Sequence, residues 1–268
     1  MIVIVHGLGG SHESPYCQRA AAAATAASAS VLRLNLRGAD RRGDDYYHGG
    51  LTDDIRATIE SKLVSGYEKV HLLGYSLGGH VSLRYSTEAL PTNLRNLCAI
   101  CAPLDLSLSV DAIDRPAVAI YRRHLLEGLR EIYQEVAARR QVPLSVGAAR
   151  QIDSIRQWDD EIVAPHHGFR DANDYYEQVS VGPHLDKIRI PTLLIVAKHD
   201  PMIPVETVTP SLAGDLPQID VRQLDRGGHA GFPSRIDIGR KAALGMASQA
   251  VDWLLDDTNQ SPAVPPPS

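Results

Sequence analysis

The sequence predicts an α/β fold: a mostly or wholly parallel sheet of about six strands, wrapped by helices and interrupted by one helical insertion. Three observations predict it. Short apolar, β-branched runs alternate with helix-length segments along most of the chain, which implies parallel strands joined by crossover helices. These runs end at turns rich in glycine and proline. The alternation fails over residues 107–184, where no strand-like run occurs.

Taken in order, Ile2 to Val5 is a continuous apolar run, as expected of a strand covered on both faces. It stops at His6-Gly7-Leu8-Gly9-Gly10, a turn whose backbone can approach a ligand closely. Ser14-Pro15 reads as an N-cap with proline at the first helical position, opening a helix to about Ser28. Val31 to Leu36 is the second strand, closed by Arg37-Gly38. Leu51, Ile55, Ile59 and Leu63 recur every four residues, the apolar face of a helix over Leu51 to Ser65. Val70 to Leu73 is a third strand, and His80 to Tyr85 lies in the helix after it. Leu94 to Cys101 is a fourth, ended by Ala102-Pro103.

Within residues 107–184, Tyr121, Leu125, Leu129, Ile132 or Tyr133, and Val136 mark one side of a long amphipathic helix. This block reads as a lid over the sheet, with core residues 1–106 and 185–257 on either side of it. Alternation resumes at Thr192 to Ala197, followed by a helix around Val205 to Leu212. Val221 to Leu224 is the last strand, and a helix over Ile238 to Leu255 closes the domain. Residues 258–268 are proline-rich and are expected to be disordered.

Length and composition exclude several functions. A chain of 268 residues, 44% hydrophobic and 22% charged, suits one globular domain with an ample core. Its net charge of −5 is dispersed and it has no basic block, so nucleic acid is not an expected partner. No apolar run reaches the roughly 20 residues a membrane span needs, and no signal peptide opens the chain. Three cysteines, Cys17, Cys98 and Cys101, point to a reducing compartment, so a cytoplasmic location is expected. Cys98 and Cys101 lie in an apolar run and read as buried structural residues.

The chemistry centres on Gly74-Tyr75-Ser76-Leu77-Gly78, a Gly-x-Ser-x-Gly set between a strand and a helix. That is a nucleophile elbow: the tight turn excludes side chains at its flanks and lifts the serine hydroxyl above the sheet. A serine hydroxyl is a weak nucleophile, and it needs a base and a group to orient that base. In a parallel sheet, ligands bind at the carboxyl ends of strands. Asp200 and His229 both fall there, as acid and base. Asp105 is a rival acid, but His199-Asp200-Pro201 at a clean strand end favours Asp200. Asp200 could instead only cap the next helix, and His229 could be a turn residue. The backbone N–H groups of Leu8 and Leu77 are the candidate oxyanion donors. Tyr75, Trp158, Phe169 and Tyr175 are candidates for the substrate pocket, with core packing as the other reading of the last three and of Tyr176. His166-His167 beside Asp159 and Asp160 lacks metal-ligand spacing, so no metal is expected.

The order Ser76, Asp200, His229 is that of the α/β-hydrolases. The chain resembles their YheT-like branch, which is related to the embryogenesis-associated proteins and to the mammalian ABHD esterases. The resemblance rests on His6 to Ser11, on Asn35 to Gly38 and on Gly74 to Gly79. It continues through Asp159-Asp160-Glu161, Ala164 to Phe169, Asp174-Tyr175-Tyr176 and Gly228 to Phe232. It implies Ser76, Asp200 and His229 as a triad for hydrolysis of a small-molecule ester, without metal or cofactor. It also implies the strand order 31–36, 2–5, 70–73, 94–101, 192–197, 221–224. Relatives carry two further amino-terminal strands, which this chain, opening almost on its first strand, is expected to lack. Strand 31–36 then becomes an edge, and a homodimer through it is a possible partner arrangement. A transferase using the same triad, or a silent binding protein of this fold, are the alternative functions.

Overall fold

The computed structural model describes residues 1–259. The strands are β1 (Ile2–Val5), β2 (Val31–Leu34), β3 (Val70–Tyr75), β4 (Leu94–Ile100), β5 (Thr192–Ala197) and β6 (Ile219–Leu224). They form one six-stranded sheet in the order β2-β1-β3-β4-β5-β6, and each neighbouring pair is parallel. This is the expected order.

Strand periodicity sorts the core into two layers. Val3, Val5, Leu72, Leu97, Ala99, Leu194 and Val196 face one side. There they meet Ile55 and Ile59 of α2 (Asp53–Glu60) and Val81, Leu83 and Tyr85 of α3 (Leu77–Tyr85). Ile2, Ile4, Leu73, Tyr75, Cys98, Ile100 and Ile195 face the other side. They pack on Cys17, Ala20 and Ala24 of α1 (Pro15–Ala26) and on Ala250, Val251 and Leu254 of the closing helix (Met246–Leu255). The small alanine face lets α1 lie close to the sheet.

Between β4 and β5 the described chain is helical. It runs through α4 (Leu106–Ile113), the long α5 (Ala119–Ala137) and the short α6 (Val146–Ala149) and α7 (Ile155–Trp158). A π-helical turn (Asp159–Val163), α8 (Ala164–His167) and α9 (Ala172–Val179) follow. After β5 come α10 (Val205–Val208), β6 and the closing helix, α11. Among the described residues no helix is long and apolar enough to cross a membrane.

Several boundaries differ from the sequence reading, each for a local reason. β2 stops at Leu34, short of the expected Leu36, because the next backbone groups are taken by side chains. Leu36 N–H donates to His6 Nε2 (3.2 Å), and Arg37 N–H donates to Asp54 (2.8 Å). Helix α2 ends at Glu60, where Ser61 turns extended (ψ 154°), so Leu63 is exposed instead of completing the apolar face. The Ser14 hydroxyl accepts from Ser11 N–H (3.2 Å) and caps no helical amide. Helix α11 starts at Met246, not Ile238, since Gly239 (φ 79°) and Gly245 (φ 115°) hold left-handed conformations that break a helix. Asp257–Asn259 forms a 3₁₀ turn, so residues 258 and 259 are ordered. The rest of the proline-rich tail lies outside the described residues.

Candidate active site

The turn from β3 into α3 places Ser76 in a conformation L-residues seldom adopt, with φ 53° and ψ −125°. Such strain costs on the order of 1–3 kcal/mol and persists only where the surroundings impose it. Here they do. A Cβ on Gly74 would lie 2.5 Å from the Gly78 carbonyl oxygen, and one on Gly78 would overlap the carbonyl oxygens of Val5 and His6. Ser76 N–H donates to Ile100 O (2.9 Å), tying the turn to β4.

His229 follows β6, and its Nε2 lies 2.8 Å from Ser76 Oγ. Its Nδ1 lies 2.9 Å from Asp200 Oδ2. Asp200 follows β5 and its side chain is 1% exposed. Its Oδ1 accepts from Met202 N–H (2.9 Å) and Ile203 N–H (3.0 Å), which fixes the carboxylate plane. With the carboxylate on Nδ1–H, the neutral imidazole presents Nε2 as an acceptor toward the Ser76 hydroxyl. The rival acid, Asp105, instead caps α4 through Leu108 N–H (2.9 Å).

The turn after β1 runs beside Ser76. Gly7 N–H donates to Tyr16 Oη (3.0 Å) and Gly9 N–H donates to Tyr47 Oη (2.7 Å). Leu8 N–H, between them, is left without a hydrogen bond among the described residues, as is Leu77 N–H at the start of α3. His6 braces this turn from below. It is fully buried, and desolvation lowers its pKa to about 4, so the ring is neutral. Because Leu36 N–H donates to Nε2, the proton sits on Nδ1 and is given to Gly7 O at 2.8 Å.

Ser76 opens into a slender apolar cavity of about 60 Å³, room for about four to six waters. The segment between β4 and β5 builds most of its wall, with Val110, Ile113, Leu125, Leu129, Tyr133 and Trp158. Trp158 and Tyr175 thus lie in the pocket, as does Tyr176. Tyr75 does not. The strand alternation turns it to the opposite face of the sheet, where its ring lies 4.8 Å from that of Tyr16. Phe169 does not either. Gly168, left-handed at φ 83°, ends α8 and turns Phe169 behind the pocket, against Tyr175 (5.1 Å) and His48 (5.6 Å).

Sequence reasoning missed several wall residues. Met202 and Ile203 were signalled by an apolar pair just after Asp200-Pro201. Tyr46, Tyr47 and His48 come from the loop after β2 and carried no pattern. Of the carboxylates 159–161, Asp159 is turned into the cavity; burial raises its pKa to about 7 despite a hydrogen bond from Tyr176 Oη (2.7 Å). Asp160 accepts from Ala172 N–H (3.0 Å) and Glu161 pairs with Gln157 on the surface.

His166 Nε2 meets Asp45 Oδ1 at 2.8 Å, and His167 lies against His48 with ring centres 4.3 Å apart. Among the described residues no group of three or more His, Cys, Asp or Glu is placed to hold a metal ion. All three cysteines are buried and free.

Comparison with known proteins agrees with this architecture. YheT of Escherichia coli strain K12, named as a candidate esterase, is 31% identical over 262 residues, covering 94% of this chain and 76% of that protein. The medium-chain fatty acid ethyl ester synthase/esterase 2 of Saccharomyces cerevisiae is 26% identical, covering 87% of this chain and 58% of its own length. The chain spans about half the length of other relatives it matches. The structure of the mouse alpha/beta hydrolase domain-containing protein 10 superposes with a TM-score of 0.54 at 15% identity, covering 85% of this chain and 81% of that one. Residues 2–237 match the model of the alpha/beta hydrolase family, and the chain belongs to that family.

Proposed function

We propose that this chain is a serine hydrolase of carboxylic esters, lipid-like esters or thioesters among them. The observation that carries the reading is the continuous relay from Ser76 Oγ through His229 to Asp200. Ser76 attacks the ester carbonyl while His229 Nε2 takes its proton. The amides of Leu8 and Leu77 receive the developing oxyanion. His229 then protonates the departing alcohol, leaving the acyl group on Ser76. Water, deprotonated by His229, releases the acid. Asp200 holds the imidazole and stabilises its cation, and the scheme calls on no metal or cofactor. The apolar cavity takes the acyl chain, with residues 107–184 as its lid. The names of the YheT and yeast relatives support the same reaction class.

A fluorophosphonate probe tests this directly. It labels the native chain and hydrolysis of a short acyl ester accompanies it; both vanish in Ser76→Ala. Labelling that survives in Ser76→Ala would refute the assignment. A second reading, acyl transfer to an alcohol, is favoured by the yeast relative's name as a synthase as well as an esterase. Ethanol added to the assay then yields an ethyl ester in place of part of the acid.

A further inference from the structure

The cavity beside Ser76 contains a carboxyl group that ester hydrolysis does not use. Asp159 opens the π-helical turn between α7 and α8, and it is 9% exposed, lining the cavity. π-Helical turns are rare and occur frequently at functional sites. Tyr176 Oη donates to Asp159 Oδ2 at 2.7 Å. The other face of the matter is Oδ1, which has no hydrogen-bond partner among the described residues. The cavity it lines is mostly apolar, with Ile155, Trp158 and Val163 on the same segment among its wall residues.

A free carboxyl oxygen in an apolar cavity is costly unless something binds to it. Tyr176 does not serve it, being occupied with Oδ2. Arg156 lies over the ring of Tyr176 at 5.1 Å and gives its guanidinium to Asp111 (2.7 Å), not to Asp159. Asp114 spends both oxygens on the amides of Ile155 and Arg156. In the free protein that oxygen faces cavity space wide enough for water, and a bound ligand there takes the water's place.

The chemistry of that partner follows from the carboxyl's two states. When neutral, its proton sits on Oδ1, since Oδ2 already accepts from Tyr176; Oδ1 then donates. When ionised, Oδ1 accepts. A hydroxyl group can answer both. A carbonyl oxygen answers only the neutral acid, and a methylene answers neither.

We propose that Asp159, oriented by Tyr176, is a specificity-determining residue that binds a hydroxyl on the acyl chain, so that hydroxyacyl esters are preferred over plain alkyl esters. This rests on the reading of Ser76 as an esterase nucleophile, and the test separates the two. Ser76→Ala blocks turnover, and Trp158, in the cavity wall, reports binding by its fluorescence. The probes are methyl octanoate and the methyl hydroxyoctanoates, with the hydroxyl moved one carbon at a time along the chain. At the matching position the hydroxy ester binds about tenfold to hundredfold tighter than methyl octanoate, the effect of leaving a buried polar group unpaired. In the Ser76→Ala background, Asp159→Leu reverses that order, whereas Asp159→Asn keeps it within a few-fold. Tyr176→Phe weakens it without removing it. Should no position improve on methyl octanoate, or should neither ester bind, the proposal is overturned. The Asp159→Asn result decides if Asp159→Leu does not fold. Selective binding by Ser76→Ala with no turnover by the native chain would leave this site standing and remove the esterase reading.

Discussion

Ser76 and Asp159 face the same cavity and are held there by different physics. The turn from β3 into α3 is fixed by backbone contacts: glycines at 74 and 78 sit where no Cβ fits, against the carbonyls of Val5, His6 and Gly78. The segment between β4 and β5 is fixed by side chains: Tyr133 against Trp158 (5.6 Å), Tyr175 against Tyr176 (5.2 Å), Tyr176 on Asp159. A backbone-limited turn has one solution, and it carries the proposed nucleophile. A wall built of interlocking side chains can be re-cut by substitution, and it carries the shape of the pocket. If Ser76 and Asp159 have the roles proposed, reaction and selectivity should be separable by substitution.

The largest effect that tests this separation falls on the turn side. Ser76→Ala and His229→Ala should each lower kcat by about 10⁴-fold or more, and the double variant should be hardly worse than either, because the relay works as a unit. Losses that multiply would show two independent groups. Asp200→Asn should cost about 10⁴-fold while the fold survives, since the amide presents the wrong hydrogen-bonding pattern to Nδ1. Gly78→Ala comes next. Its Cβ would enter the carbonyl oxygens of Val5, the last residue of β1, and of His6 just after it, backbone held between β2 and β3. A loss of about 5 kcal/mol or more is expected in urea unfolding, at the extreme of single substitutions. A variant of native stability would mean the turn is less constrained than its contacts imply.

The same division explains what the sequence made legible. Ser76, Asp200 and His229 were readable because glycine, strand-end and turn patterns report backbone constraints, and those are local. The sheet order was readable because it follows from the resemblance and from parallel alternation. The facing of Tyr75 was legible in the strand alternation it shares with Leu73, which sets it on the face away from Ser76's cavity. Phe169 could not, because its direction depends on the left-handed Gly168. Leu63 kept the four-residue spacing yet lies beyond the helix, as spacing does not mark where Ser61 breaks it. Asp159, Asp160 and Glu161 are three adjacent carboxylates in sequence; only the packing of Tyr176 and the π turn distinguishes the buried one.

On the side-chain-built wall the expected effects are smaller and depend on pH. Burial raises Asp159 from an ordinary carboxyl value of 3.8 to about 7, with Asp114 adding to the rise and Tyr176 and Arg156 opposing it. The folded state thus holds this proton more tightly than the unfolded chain. The stabilisation is complete below about pH 4 and is lost as pH rises toward about 7, by about 4 kcal/mol at most. Urea unfolding of the native chain and of Asp159→Asn, compared across that window, isolates the effect: the difference in stability should move in favour of Asn as pH rises. A constant difference would place the carboxyl in contact with water.

The smallest effect expected lies where the two regions touch. Helix α5 crosses the turn after β1 at Gly128, and a Cβ there would overlap the Gly9 carbonyl oxygen and lie 2.9 Å from Gly9 Cα. Gly9 is itself left-handed (φ 68°) and pinned by Tyr47, so the strain of Gly128→Ala passes along the turn to Leu8. Two terms then oppose each other in stability. Alanine inside a helix gains about 1 kcal/mol over glycine, and the overlap costs about 1–3 kcal/mol. The net loss should be up to about 2 kcal/mol, as the Gly9 backbone must shift to admit the methyl. Activity should respond more clearly, because an oxyanion donor displaced by a few tenths of an ångström loses much of its value in the transition state. A fall of about tenfold in kcat, with KM nearly unchanged, is expected from steady-state kinetics on a short acyl ester. An unchanged kcat in a variant of lowered stability would show that the Leu8 amide plays no part in holding the oxyanion, and that α5 touches the turn only as a wall.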